Sequence, residues 1–144
     1  MTKLTLQQAN SIIGKALEKG RESRVPPLAV VVLDEAGHVK ASQREDGASM
    51  FRFDIALGKA GGAVAMGCSS RTLAQRAQSN PIFINALVTT AGGKLLPQQG
   101  GVLIRSVDGE IIGAVGISGA SGDEDEAFGA YGVEQAGLKA DCGS

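Results

Sequence analysis

The chain has no tryptophan, one tyrosine and four phenylalanines among its 144 residues. Large aromatic side chains usually supply much of the buried area in cores and interfaces. A chain with so few of them has to bring its backbones close together, and its 21 glycines suit that requirement. The glycines also predict many tight turns, or a backbone that approaches a ligand closely.

Histidine and cysteine are scarce as well. His38 is the only histidine, and Cys68 and Cys142 are the only cysteines. Their positions lack the clustered spacing of a zinc site, and nothing near either thiol marks an activating base. Two cysteines outside a disulfide framework are typical of a reducing compartment, and no signal peptide is predicted, so we expect a cytoplasmic protein.

The chain also lacks a strong net charge and a long hydrophobic run. With 14 basic and 15 acidic residues, it offers no electrostatic basis for binding nucleic acid. No apolar run approaches the ~20 residues of a membrane helix, so no membrane partner is expected. The 43% hydrophobic content excludes a disordered chain, and the length predicts a single domain over residues 1–144.

Hydrophobic periodicity and turn residues predict an alternating order of helices and strands. Thr5 and Gln8 form a capping-box pattern, and Asn80-Pro81 is a typical helix start. The predicted helices lie at about 5–20, 54–66, 69–77, 82–90 and 122–139, and the predicted strands at 28–33, 38–43, 102–105 and 111–118. Residues 82–90 also fit a strand, and the helix is favoured. Two antiparallel hairpins with helices between and around them predict an α/β sandwich around an antiparallel sheet.

The second predicted helix contains three glycines, Gly58, Gly61 and Gly62. Each would weaken an isolated helix by about 1 kcal/mol relative to alanine. A helix with this composition is expected to pack very closely against another part of the molecule.

Charged residues from three parts of the chain are candidates for a polar pocket. Arg44 and Lys59 would bind a carboxylate, and an acid would then transfer a proton. The candidate acids are Asp46, Glu124 and Glu126. The alternative is ordinary surface charge, with the acids of residues 123–126 placed at a helix N-terminus because the macrodipole favours anions there.

Two further features are candidates for ligand contacts. His38 is the one side chain whose ordinary pKa lies near neutrality, and it would serve as a haem-iron ligand or a base. The alternative is a polar residue that simply follows a hairpin turn. Gly100 and Gly101 have the composition of a loop that lies against a ligand, although they precede a strand and match no phosphate-binding fingerprint.

Several short motifs, in order, carry a family resemblance. The chain resembles the GlcG/HbpS family, which also occurs as the C-terminal domain of PduO proteins. The matching segments are residues 32–38, 44–48, 59–60, 100–102, 108–119 and 123–126. Each motif alone is weak, whereas their order and spacing over nearly the whole chain are specific.

The resemblance implies a profilin-like α/β/α sandwich, of the α+β type, with a central antiparallel sheet. It also implies homo-oligomers built from dimers and reaching octamers, and a haem-binding function for some members. The chain departs from the family where Leu103 replaces a proline that many members carry after Gly-Gly-Val. Because His38 is the only histidine, a haem site that uses another histidine cannot be transferred to this chain; the weaker candidate partners are Met50, Met66, Tyr131 or a hydroxyl group.

Two functions are therefore carried forward, beside a third and purely structural role as an accessory subunit that contacts itself and neighbouring pathway proteins. The first is an oligomeric protein of the GlcG/HbpS type that binds a small molecule, haem or a related ligand, through His38. The second is a small catabolic enzyme that acts on an organic acid held by Arg44 or Lys59. The sequence shows no complete catalytic constellation, so it does not decide whether the protein is an enzyme.

Overall fold

The computed structural model describes residues 2–143. It contains five helices and five strands in these residues. The helices are α1 (Leu6–Glu22), α2 (Phe51–Met66), α3 (Ser70–Ser79), α4 (Pro81–Thr90) and α5 (Gly122–Gln135). The strands are β1 (Ala29–Asp34), β2 (Val39–Arg44), β3 (Gly101–Arg105), β4 (Ile111–Ser118) and β5 (Lys139–Asp141).

Local hydrogen bonds explain where the helices begin. The Gln8 amide donates to the Thr5 side chain at 3.0 Å, and Gln8 Oε1 accepts from the Thr5 amide, so the predicted capping box is confirmed. Asn80 caps α4, with proline in the first turn. Each cap satisfies amide groups that have no partner within the helix.

The strands form one sheet in the order β2-β1-β4-β3-β5, and every neighbouring pair is antiparallel. The β1 residues alternate between two helical layers. Val30 and Val32 point toward α1 and α5, whereas Val31 and Leu33 point toward α2. This confirms the predicted α/β/α sandwich, and it explains the continuous apolar run of β1, which is covered on both faces.

The glycines of α2 allow the close packing that the sequence predicts. A Cβ atom at Gly58 would lie 2.9 Å from the Leu96 Cβ atom, and one at Gly62 would lie 2.9 Å from Leu95 Cγ. At Gly61 it would lie 2.7 Å from the Lys94 carbonyl oxygen. The helix therefore exposes bare backbone to the segment that leads into β3, and the segment lies directly on it.

The largest differences from the predicted boundaries are at the end of α5 and the start of α2. The last helix ends at Gln135 rather than near residue 139, since Gly137 adopts a left-handed φ of 81° and turns the chain. The chain then adds β5 to the edge of the sheet, a strand of three residues that the sequence analysis missed. The second helix starts at Phe51, before the predicted residue 54, and its N-cap makes no side-chain hydrogen bond that a sequence pattern would reveal.

No helix in the described part of the chain is both long enough and apolar enough to cross a membrane.

Candidate functional site

Two concave regions of different chemistry lie against α2. We call the first the lysine cleft; it is lined by Arg52, Ile55, Lys59, Leu96, Gln98, Gln99, Ser118, Ala120, Gly122 and Asp125. We call the second the histidine groove; it is lined by Leu33, Gly37, His38, Val39, Leu57, Gly61 and Lys94. Because Ser118 pairs with one end of β1 and the hairpin that carries His38 begins at the other, the regions lie at opposite ends of this strand.

A buried ion pair forms the back of the lysine cleft. Lys59 Nζ lies 3.1 Å from Asp125 Oδ2, and the two side chains are 6% and 2% exposed. Lys59 also donates to the Ile117 carbonyl oxygen at 2.9 Å, and Asp125 Oδ1 accepts from the Ala120 amide at 3.0 Å. Buried charges are stable only when they are paired and hydrogen-bonded in this way.

The ion pair joins the two helical layers around the end of the sheet. Lys59 belongs to α2 and Asp125 to the first turn of α5, which packs on the opposite face. Gly100 leaves the space that the lysine needs, since a Cβ atom there would lie 2.7 Å from Lys59 Nζ. Gly101 approaches the Lys59 backbone equally closely, and its amide donates to Ser70 Oγ at 2.6 Å. The two predicted ligand-contact glycines thus make room for Lys59.

Burial shifts the pKa values of the pair in opposite directions. It lowers the pKa of Lys59 and raises the pKa of Asp125, and the attraction between the two charges opposes both shifts. The positive charge of Arg52 further lowers the pKa of Lys59 and favours the ionised form of Asp125. The pair is therefore an energetically costly arrangement that faces a solvent-accessible cleft.

The open side of the lysine cleft is polar. Arg52 is half-buried and donates to Ser118 Oγ at 3.1 Å. Gln99 donates to Asp123 at 2.8 Å and to Glu126 at 3.1 Å, which holds the loop before β3 against α5. The cleft has a volume of about 370 Å³, which falls in the range of small-molecule sites.

The histidine groove is mostly apolar and has a volume of about 310 Å³. The His38 side chain is 81% exposed, and its Nδ1 atom lies 4.0 Å from Asp34 Oδ2. The backbone amide of His38 donates to Asp34 Oδ1 at 3.0 Å, which anchors the hairpin turn. Leu33 and Leu57 supply the apolar wall, and Lys94 stands at the rim.

The structure places Arg44 and Asp46 away from Lys59. Both line a third cleft of about 490 Å³, between the end of β2 and α1. Arg44 donates to the Ala48 carbonyl oxygen at 2.6 Å; it is exposed at the end of β2, and Asp46 is exposed in the loop that follows. A single pocket that unites Arg44, Asp46 and Lys59 is therefore absent from the described residues.

Of the acids at residues 123–126, only Asp125 faces Lys59. Glu124 forms the second capping box, in which Ser121 caps the helix and Glu124 accepts from the Ser121 amide at 3.2 Å. Glu126 pairs with Arg71 at 3.0 Å. The predicted proton-transferring acids, Asp46, Glu124 and Glu126, thus lie in three separate environments.

The thiols lie in surroundings that suppress their reactivity. Burial raises the pKa of Cys142 to about 11, with the nearby Glu126 carboxylate adding to the shift, and burial also raises the pKa of Cys68. The backbone carbonyl of Cys142 accepts hydrogen bonds from Ser69 at 2.8 Å and Arg71 at 3.1 Å. Within residues 2–143, no group of three His, Cys, Asp or Glu side chains is arranged to hold a metal ion.

The sequence analysis did not single out Arg52 or Ser118 as site residues. Arg52 stands just before the predicted start of its helix, and Ser118 ends a strand that is otherwise apolar. The available signal was the alternation of β4, which places Ser118 and Gly116 on the α2 side of the sheet. Asp125 was one of four consecutive acids, and only the register of α5 distinguishes it from its neighbours.

Family models and solved structures show what the chain is similar to. A family model described as "Haem degrading protein HbpS-like" matches residues 4–134. No curated protein matches the chain at the significance required.

Several solved structures share the fold. A PduOC:heme complex is 25% identical, with a TM-score of 0.85 over 95% of this chain and 97% of that one. A double mutant of HbpS from Streptomyces reticuli is 28% identical, with a TM-score of 0.80 over 93% of this chain and 87% of that one. Klebsiella pneumoniae protein ORFY is 24% identical, with a TM-score of 0.85 over 95% of this chain and 93% of that one. The similarity to ORFY supports the fold only.

Proposed function

The chain belongs to the HbpS-like family, and from this premise we propose that it binds haem in the histidine groove. The observation that carries the proposal is the position of His38, the only histidine, inside an apolar groove with an exposed imidazole. The crystal structure of the PduOC:heme complex, a structural neighbour of this chain, supports haem as the ligand class.

The residues of the groove fit the chemistry of haem. An imidazole nitrogen is an established axial ligand of haem iron, and Asp34 lies on the Nδ1 side, which leaves Nε2 for the iron. Leu57 and Val39 offer apolar surface for the macrocycle, and the Lys94 ammonium would pair with a propionate. Bound haem would supply a redox-active iron, and these side chains would hold and orient it.

The openness of the groove predicts modest affinity in a single copy of the chain. Few large side chains are present to cover both faces of a macrocycle, because Trp is absent and aromatic residues are rare. A second copy that covers the groove would bury more of the ligand.

We also propose that the protein forms homo-oligomers, and α4 supports this. The helix is apolar, yet only Ile84 is buried, while Ile82 and Phe83 are 83% and 53% exposed. Met50 and Phe51, at the start of α2, are exposed as well. A second copy presents the same apolar residues, so a symmetric contact would remove them from water on both sides.

Haemin titration followed by absorbance tests the haem proposal. We expect a saturable Soret shift with the wild type and its loss in His38→Ala, since the variant removes the iron ligand. Lys40→Ala is the matched control, because Lys40 is exposed on the same hairpin but does not line the groove. A wild type that shows no saturable shift, or a shift that His38→Ala leaves unchanged, would contradict the assignment.

Light scattering tests the self-association. We expect a multiple of the 14.6 kDa chain mass at micromolar concentration, and a smaller species for Ile82→Glu because a charge would then have to be buried. The exposed Ser79→Glu serves as a control on the preceding helix. A monomeric wild type would refute the oligomer.

A further inference from the structure

The lysine cleft contains a cation that has no carboxylate partner. The only side-chain hydrogen bond of Arg52 goes to Ser118 Oγ, and within residues 2–143 no carboxylate lies within 4.0 Å of its guanidinium. By contrast, Arg71 and Arg105 are half-buried to a similar degree and each pairs with an acid. Arg52 is thus a half-buried guanidinium that retains donors for an external anion.

The charge balance of the cleft favours an anion as well. Lys59 and Asp125 neutralise one another, and no other charged side chain besides Arg52 lines the cleft. The cleft therefore has one excess positive charge. Its walls have low polarity on one side, where Ile55 and Leu96 lie, and such walls strengthen the attraction between the guanidinium and an anion.

The remaining lining residues indicate an organic anion of small size. Ile55 and Leu96 offer apolar contacts for a short carbon chain, and Gln98 offers an amide group for a hydroxyl or carbonyl oxygen. Gln99 offers only its Oε1 atom as an acceptor, because its Nε2 atom already donates to Asp123 and Glu126. The volume of about 370 Å³ suits a molecule of a few carbons. A guanidinium matches a carboxylate in geometry, because two parallel N–H groups donate to its two oxygens.

We propose that the lysine cleft is a second ligand site, which binds a small organic carboxylate through Arg52. Ser118 positions the guanidinium, and the Lys59–Asp125 pair behind it forms the floor of the site. The site is spatially separate from the proposed haem site, because it lies at the end of β1 opposite to His38. It also differs from the predicted carboxylate anchor, since Arg52 replaces Arg44 in that role.

A carboxylate at Arg52 has two chemical sources, a free organic acid and a propionate group of haem. The cleft favours the free acid, because a macrocycle would have to cover a charged lysine–aspartate pair. The experiment therefore includes both sources.

Calorimetric titration in a buffer that contains neither carboxylate nor phosphate tests the proposal. The probes are acetate, lactate, pyruvate, malonate and succinate, with lactamide as a neutral analogue of lactate. We expect saturable binding of at least one acid and none of lactamide. We expect Arg52→Gln to weaken the binding at least about tenfold, since it removes a charge-assisted, two-pronged contact. The affinity of Arg52→Lys should fall between those of the wild type and Arg52→Gln, because lysine keeps the charge but lacks the two parallel N–H donors.

Arg76→Gln is the matched control, because Arg76 is an exposed arginine of α3 that does not line the cleft. Thermal unfolding of each variant establishes that it folds, and haemin titration of the same samples reports the histidine groove separately. Absence of binding by every acid, or equal affinity in Arg52→Gln, would overturn the proposal. So would a loss of haemin affinity in Arg52→Gln without binding of a free acid, because the carboxylate would then be a haem propionate.

Discussion

The lysine cleft and the histidine groove differ in how each is built. The cleft depends on long-range contacts: Lys59 and Asp125 are 66 residues apart, and both are buried. The groove depends on a local hairpin turn whose histidine is exposed. Residues of the cleft therefore hold the structure together as well as line the proposed ligand site, whereas the His38 side chain is exposed and lies 4.0 Å from Asp34 Oδ2. Substitutions in the groove should therefore change ligand binding without changing stability, whereas substitutions at the floor of the cleft should change both.

Removal of Lys59 should produce the largest effect. Lys59→Met leaves Asp125 buried without its partner, and we expect a loss of about 3–5 kcal/mol in the free energy of unfolding. The double variant Lys59→Met/Asp125→Leu should recover most of this loss, because neither charge is then buried. Denaturant unfolding measures both values. A Lys59→Met variant as stable as the wild type would contradict this expectation, because the ion pair would then have no structural role.

Substitutions of glycine test the same difference between the cleft and the groove at the level of the backbone. A Cβ atom at Gly101 would lie 2.8 Å from Ser70 Oγ and would also collide with the Lys59 backbone. We expect Gly101→Ala to cost about 2–3 kcal/mol by overpacking. In the groove, Gly37 has a φ of 83° and open space around it, so Gly37→Asn should cost less than about 1 kcal/mol. Thermal unfolding measures the stability of both variants, and equal losses of stability would contradict the expected difference.

Acid titration should reveal a smaller effect of the buried carboxylate. Burial raises the pKa of Asp125 above the ordinary 3.8, so the folded chain retains this proton to higher pH than the unfolded chain. As pH rises from the ordinary pKa to the raised one, the unfolded state binds fewer protons and the protein loses stability from this group. Unfolding experiments from pH 3 to pH 7 should show this fall in the wild type relative to Lys59→Met/Asp125→Leu. A stability difference between the two proteins that rises with pH over this range would contradict the expected direction.

His38→Ala should have the smallest effect on stability. The imidazole is exposed and the turn is held by backbone donors to Asp34, so we expect a change within about 0.5 kcal/mol. Thermal unfolding of the variant without haemin checks this. A large loss would show that the groove, like the cleft, has a structural function.

The fold was predictable where short patterns determine local structure. The capping residues Thr5 and Asn80 and the apolar run of β1 each have a direct physical signature, and all appear in the structure. The three residues of β5 do not, because a strand this short has no readable period and is stabilised by pairing with β3. The chain reaches this edge of the sheet through the left-handed turn at Gly137, whose φ is 81°.

The sites were less predictable, because their residues meet through tertiary packing. The sequence analysis identified Lys59 and the acidic run, but it had no means of selecting Asp125 over Glu124 or Glu126. It also grouped Arg44 with Lys59 on the basis of charge alone, although β2 carries Arg44 to a cleft beside α1. Side chains on opposite layers of a sandwich come together only at the ends of the sheet, and the order of the strands decides which ones do.

The link between Lys59 and Asp125 also has a consequence for folding kinetics. Its partners belong to helices on opposite faces of the sheet, so the bond can form only after both layers have docked. We expect a contact of this kind to be weaker in the folding transition state than in the native state. We therefore expect the link to slow the opening of the sandwich while leaving the rate of its assembly almost unchanged, which makes the ion pair a determinant of the lifetime of the native state.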